Sequence, residues 1–248
     1  MSHYTVAVIT KNGTMEEVTT LLAPFDENIE MDEYPEEWPQ KYKETFWLRY
    51  MGDEPYDESK LKELYSENGA DWDDNESTFD DDGNIKRWTT YNKQSKWDWW
   101  QVGGRWSGEV IRTNEGEECD EAKLSDVDFK INTESERWKE CFEAYNVWMS
   151  DKEPKTKREK ELKSQMFYKK EYYTSKYKDA TDFANSMCNP ITHAILLPNG
   201  EWIEPGQMGW WGVSDAEVED EINYEKNYFS YLKPYMEDYY ITIVDCHI

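Results

Sequence analysis

Lys96-Trp97-Asp98-Trp99-Trp100-Gln101-Val102-Gly103-Gly104-Arg105-Trp106-Ser107-Gly108 sets four tryptophans, a carboxylate and a guanidinium around a Gly-Gly pair. So many indoles in one short stretch belong either to the densest layer of a core or to the wall of a pocket. Trp97 and Trp99 alternate with Asp98 and Trp100, so a strand here is aromatic on both sides and lies inside a sheet. Gly103 and Gly104 allow positive φ and close backbone approach. The expectation is a hairpin that reverses at the glycines and returns through Arg105 to Arg112. Its tip then presents a five-donor fork suited to a carboxylate or phosphate.

Working outward, Tyr4 to Thr10 is β-branched and closes at Asn12-Gly13, the signature of a buried strand and turn. Met15, Val18, Leu21 and Leu22 follow at helical spacing as far as Pro24. Phe46 to Met51 is expected as a strand, Leu61 to Tyr65 as a short helix, and Asp82-Gly83 as a hairpin turn into Arg87 to Asn92. Thr133 to Glu136 forms a capping box ahead of Trp138, Cys141, Phe142, Tyr145, Trp148 and Met149. After Pro154 a second helix is expected from Thr156 towards Met187. Thr192 to Leu197, Pro198-Asn199-Gly200 and Glu201 to Ile203 make a strand, turn and return arm. A second Gly and Trp cluster spans Gly206 to Gly212. Ser214 to Glu217 is a further capping box, opening a helix with Val218, Ile222, Phe229 and Leu232 inward, and Tyr239 to Val244 is the last strand. This order implies an α+β fold: a mainly antiparallel sheet including both terminal strands, with helices packed on one face. One domain over 1–248 is expected, with an acidic insertion at about 26–95 and a helical pair at about 133–187.

Aromatic residues make up 16% of the chain and hydrophobic residues 38%, so the core is built from rings more than from aliphatic side chains. The net charge is -26, and Glu16 to Asp82 holds 23 acidic against 5 basic residues. That balance excludes direct binding of nucleic acid through its phosphates, which needs clustered Lys and Arg. Asp71 to Asp82 reads as a solvated acidic loop. Asp80, Asp82 and Asn84 alternate as in a calcium loop, but Ile85 and Tyr91 stand where that loop needs Gly and Glu. Lys152 to Lys178 is basic, and an intramolecular contact with the acidic quarter or a solvated helix face is expected there. Cys119, Cys141, Cys188 and Cys246 are dispersed without zinc-like pairing, and no metal or cofactor is expected. Without a charged and apolar leader or a membrane-length apolar run, the expectation is a cytoplasmic protein with reduced thiols and no membrane partner.

The candidate ligand-binding residues are Trp97, Asp98, Trp99, Trp100, Gly103, Gly104, Arg105, Trp106, Trp210, Trp211, Asp245 and His247. Indoles stack on flat rings and Arg105 meets an anion, although Asp98 is also placed to neutralise Arg105 in a purely structural ion pair. If the last strand pairs antiparallel with the first and with Thr192–Leu197, His3, His193 and His247 share one sheet edge, with Asp245 on the face of His247. That arrangement admits acid–base chemistry, or simply polar strand ends.

These residues carry a resemblance. The Trp97–Trp106 block, the Pro198–Trp210 block (Pro-x-Gly-x-Trp-x-x-x-Gly-x-Met-Gly-Trp) and the terminal Val244-Asp245-Cys246-His247 are similar to blocks in a family of uncharacterised bacteriophage and bacterial proteins. The resemblance implies a phage accessory protein in a host cytoplasm and supplies no catalytic residues. The leading expectation is a binding protein that antagonises a host defence. It would hold a small anionic or nucleotide-like ligand, or block a basic host protein. The alternatives are a small hydrolase acting on a phosphorylated or nucleotide substrate, and an acidic nucleic-acid mimic.

Overall fold

A computed structural model describes residues 2–69, 72, 77–150, 152–209 and 212–248. The chain divides into two compact units, Met1–Asp26 with Ser95–Ile248, and Glu27–Gln94. In chain order the first elements are β1 (His3–Thr10), α1 (Met15–Leu22), β2 (Tyr34–Glu37), α2 (Gln40–Met51), α3 (Leu61–Asn68), β3 (Thr78–Phe79) and β4 (Ile85–Thr89). Then follow β5 (Trp99–Val102), β6 (Ile111–Arg112), β7 (Glu118–Cys119), β8 (Glu121–Lys123), α4 (Glu136–Met149), α5 (Lys157–Ser164), α6 (Lys170–Lys176) and α7 (Ala180–Met187). The chain closes with β9 (Ala194–Leu196), β10 (Trp202–Ile203), α8 (Val218–Leu232) and β11 (Tyr240–His247).

The larger unit is an α+β layer around a sheet in the order β10-β9-β1-β11-β5, with β8 also pairing β11. Every pairing is antiparallel except β1 with β9. β1 and β11 pair over their whole length, from His3 opposite His247 to Thr10 opposite Tyr240. Their runs Val6-Ala7-Val8-Ile9 and Ile241 to Val244 are buried on both sides, so both faces need a cover. On one face Ala7, Ile9, Ile195, Ile241 and Ile243 pack against Tyr224, Tyr228 and Leu232 of α8. On the other, Val6, Val8, Leu196 and Val244 pack with Val18 and Leu22 of α1, Phe25 and Trp97. The helices expected on one face therefore occupy two. Along α8 the inward residues are Tyr224, Tyr228 and Leu232, while Phe229 is exposed.

The hairpin expected from Trp97 to Arg112 does not form. β5 pairs with β11, β6 pairs with β7, and the glycines lead into a 3-10 turn, Gly104–Trp106. A long central strand offers β5 a full ladder, which a short return arm does not. α4 is capped by Ser135, whose side chain accepts the Trp138 N–H, two residues past the expected Thr133 cap. The second long helix is instead α5, α6 and α7. Thr156 and Glu159 form the capping box of α5, and Asp179 caps α7 by accepting from Asp182. α4 to α7 close on a cluster that includes Ala144, Tyr145, Leu162, Tyr173 and Phe183. In the basic stretch, Lys176 pairs with Glu221 and Glu225 of α8, and Arg158 with Glu143 of α4.

The Glu27–Gln94 unit carries a sheet in the order β2-β4-β3 and a core of Trp38, Phe46, Trp47, Leu61 and Ile85. Phe46 to Met51, expected as a strand, is the second half of α2. Lys43, Phe46 and Trp47 are buried and the Phe46 ring lies 4.9 Å from that of Tyr50, tilted by 54°; this i, i+4 contact suits a helical stripe. The β3–β4 turn forms at Gly83, with φ 86°. Asp80 accepts the Asn84 N–H at 2.8 Å and pairs with Lys86 at 2.8 Å, so its carboxylate ties the hairpin. Of the expected acidic loop, Asp71 and residues 73–76 lie outside the described residues. Among the described residues, no helix is long and apolar enough to cross a membrane.

Candidate functional site

The register of β5, β11 and β1 builds two polar rungs on one face of the sheet. Trp99, His247 and His3 form the first, and Gln101, Asp245 and Thr5 the second. Both lie on the face that, one rung further in, turns apolar at Ile243 and Ala7. The site thus begins where the α8-covered core ends. Alternation along the strands places these side chains together.

Each histidine is tied to a carboxylate through Nδ1. His3 Nδ1 lies 2.9 Å from Asp245 Oδ1, and His247 Nδ1 lies 2.5 Å from Asp98 Oδ1. Both imidazoles are nearly buried, at 9% and 7% side-chain exposure; Asp245 is wholly buried and Asp98 is 29% exposed. A buried carboxylate needs donors, and Asp245 has a second one in the Arg105 backbone N–H, 3.0 Å from Oδ2. The Asp98 N–H donates to the His247 carbonyl at 3.0 Å, which pins the second pair to the strand end. A carboxylate at Nδ1 fixes the tautomer and leaves Nε2 as the working atom. Among the described residues neither Nε2 has a hydrogen-bond partner.

The rings form one cluster. His3 and His247 meet edge to face at 4.9 Å, and Trp99 stacks on His247 at 5.4 Å with an interplanar angle of 17°. Trp99 and His3 also meet edge to face, with ring centroids 5.5 Å apart. Gly104, at φ 55°, is required here because a Cβ would lie 2.3 Å from Asp245. Gly103, at φ 65°, presses on Asp120, which accepts from Ser107 Oγ at 2.6 Å and the Gly108 N–H at 2.8 Å. The Gly-Gly pair is thus the point where a backbone turn closes on two carboxylates. Arg105 projects from that turn with an exposed side chain, and among the described residues its guanidinium has no ion pair.

Of the sequence candidates, the fold gathers Asp98, Trp99, Gly104, Arg105, Asp245 and His247. Asp98 pairs with His247 rather than with Arg105. Trp97 is instead core: it is buried in the α1-covered cluster and its indole N–H donates to the Leu22 carbonyl at 3.3 Å. Trp100 faces the same cluster, on the opposite side of the strand from Trp99. Gly103 serves the Asp120 loop. Trp106 lines a neighbouring cleft of about 740 Å³, which also meets Thr5, Arg112, Lys130, Arg137 and Cys188. Trp210 and Trp211 lie outside the described residues. The last strand does not pair with the Thr192–Leu197 strand: β9 lies beside β1, in parallel, and His193 stands apart from the cluster, its ring packed on Tyr4 at 5.3 Å and its Nε2 4.0 Å from Glu204. Burial holds the His193 imidazole below its ordinary pKa.

Sequence reasoning placed His3 at this edge without counting it among the ligand-binding residues. Its signal was the antiparallel pairing of a first strand that begins at a histidine with a last strand that ends at one. Asp120 and Gln101 carried no such signal. Among the described residues, no three of His, Cys, Asp and Glu converge as cation ligands. No family model, curated protein or solved structure matches the chain.

Proposed function

We propose that the chain acts on a small phosphate-bearing molecule by paired acid–base catalysis at His3 and His247, with Arg105 meeting the anion. The observation that carries this reading is the double dyad: two imidazoles 4.9 Å apart, each with Nδ1 on a carboxylate and each with Nε2 unpartnered among the described residues. A lone His–Asp pair is common as structure. Two that face each other supply a base and an acid to one reacting centre.

In-line displacement at phosphorus uses both. The neutral imidazole takes the proton of the attacking hydroxyl or water at Nε2 as the new P–O bond forms. The protonated imidazole gives its Nε2 proton to the leaving oxygen as the old P–O bond breaks. The two imidazoles end with exchanged protonation states, and proton exchange with water resets them. Asp98 and Asp245 hold the tautomers and offset the positive charge, and the Arg105 guanidinium offsets charge on the phosphoryl oxygens. The binding expectation uses the same residues without turnover, so the phage accessory role is compatible with either outcome.

The test is a panel of phosphodiesters, nucleoside 2′,3′-cyclic phosphates among them, assayed with wild type, His3→Ala and His247→Ala. Each variant should lose about 10²–10⁴-fold in kcat. Turnover that survives both substitutions would sink the proposal. Tight phosphate binding without turnover would return the site to the ligand-holding role.

A further inference from the structure

We infer that the outer face of Trp99, with the Gln101 amide beside it, is a platform for a nucleobase, so that the phosphate-bearing substrate is a nucleotide. The inference rests on the acid–base reading of the same site and names the part of the substrate that reading leaves open.

Trp99 and Gln101 are two residues apart on β5 and therefore share a face. They stand in register with His247 and Asp245 respectively. Among the described residues β5 is the last strand of the sheet path. One side of the indole lies nearly parallel to the His247 ring, and the residue remains 41% exposed. Scattered exposed aromatics need no explanation. This one lies flat against a proposed acid–base residue, so a ring resting on its open side is held one layer from Nε2 of His247. Gln101 is exposed, and among the described residues its side-chain amide has no hydrogen-bond partner. A primary amide offers both donors and an acceptor, which is what the edge of a base presents in return. Stacking of a base on an aromatic side chain needs no sequence of its own, and the phosphate end is met by Arg105.

The competing explanation is that Trp99 only orients His247. The two roles separate by variant and by ligand. Calorimetric titrations of adenosine 5′-monophosphate, ribose 5-phosphate and inorganic phosphate are run on the full chain, on Trp99→Phe and on Trp99→Leu. The cyclic-nucleotide assay is run in parallel. Wild type should bind the nucleotide about 5- to 100-fold more tightly than ribose 5-phosphate, the range expected for one stacked base. Trp99→Leu should lose that preference through KM, while Trp99→Phe keeps most of it. Equal affinity for nucleotide and sugar phosphate overturns the platform and leaves the acid–base reading standing. A Trp99→Leu defect confined to kcat overturns it as well, because it marks a positioning role. If no phosphate binds and nothing turns over, the acid–base reading fails and takes the platform with it.

Discussion

Gly104 is the residue on which the site depends most directly. Its φ of 55° is poorly tolerated with a side chain, and a Cβ would sit 2.3 Å from Asp245. Gly104→Ala should therefore cost about 2–4 kcal/mol, backbone strain plus overpacking. Gly200→Ala has a similar φ, 83°, but open space around it, and should cost only about 1–2 kcal/mol. Urea denaturation of the two variants checks the difference, and equal losses would mean that Asp245 yields easily. A second residue-scale outcome concerns His193. Burial lowers its pKa in the fold, so the unfolded chain binds the proton first as pH falls. The contribution is fully present above the unfolded value of about 6.5 and is lost on acidification below it. In His193→Gln the decline of stability below that pH should be shallower than in wild type, as read by Tm across a pH series.

At the scale of elements, α8 is what turns a two-faced sheet into a core with an open end. Leu232 is wholly buried against Ile241 and Ile243, and Leu232→Ala should cost about 2–5 kcal/mol. Tyr228 is also wholly buried, with its hydroxyl 2.9 Å from Thr192 Oγ1, so Tyr228→Phe should cost about 1 kcal/mol. Equilibrium unfolding measures both, and a larger loss for Tyr228→Phe than for Leu232→Ala would contradict the packing assigned to α8. Where α4 meets the end of α7, a hydrogen bond from Cys188, aided by Arg137, lowers the Cys141 thiol to about 7. Burial instead pushes Cys246 well above its ordinary value. Mass mapping after brief iodoacetamide treatment at pH 8 should find Cys141 modified before Cys246. Cys188→Ala, which removes the donor, should slow the reaction of Cys141, and an unchanged rate would exclude the thiol–thiol contact as its cause.

At the scale of the whole molecule, the chain leaves and re-enters the larger unit at one point. The Lys96 N–H donates to the Phe25 carbonyl at 2.8 Å, and Asp26 bridges Trp97. Residues Glu27–Gln94 have their own core. Replacing them with a short Gly-Ser linker should leave the larger unit folded, with its cooperative thermal transition, since the closure cost of a short loop is small. Loss of that transition would show that the units stabilise each other. The excision also removes 20 acidic and 8 basic residues, a net -12 of the chain's -26, so partner binding that survives it would count against any role of the acidic stretch in engaging a basic partner.

The sequence by itself determined the strands at both ends, the helix after Ser135 and the β3–β4 turn, because periodicity, caps and Gly turns are local physics; the meeting of His3 with His247 was conditional on a strand pairing that only the fold supplies. It failed for Phe46 to Met51, where aromatic residues suit strand and helix equally and only the neighbouring rings decide. It failed for the Trp97–Arg112 hairpin too, because β5 had a longer partner far away in the chain. It did not separate Trp97 and Trp100 from Trp99, since the side of a strand that faces the core depends on what covers each face. Only the tertiary structure decided that Asp98 goes to His247 and Asp245 to His3. Those partners are 149 and 242 residues apart, and it is the register of β5, β11 and β1 that makes them neighbours.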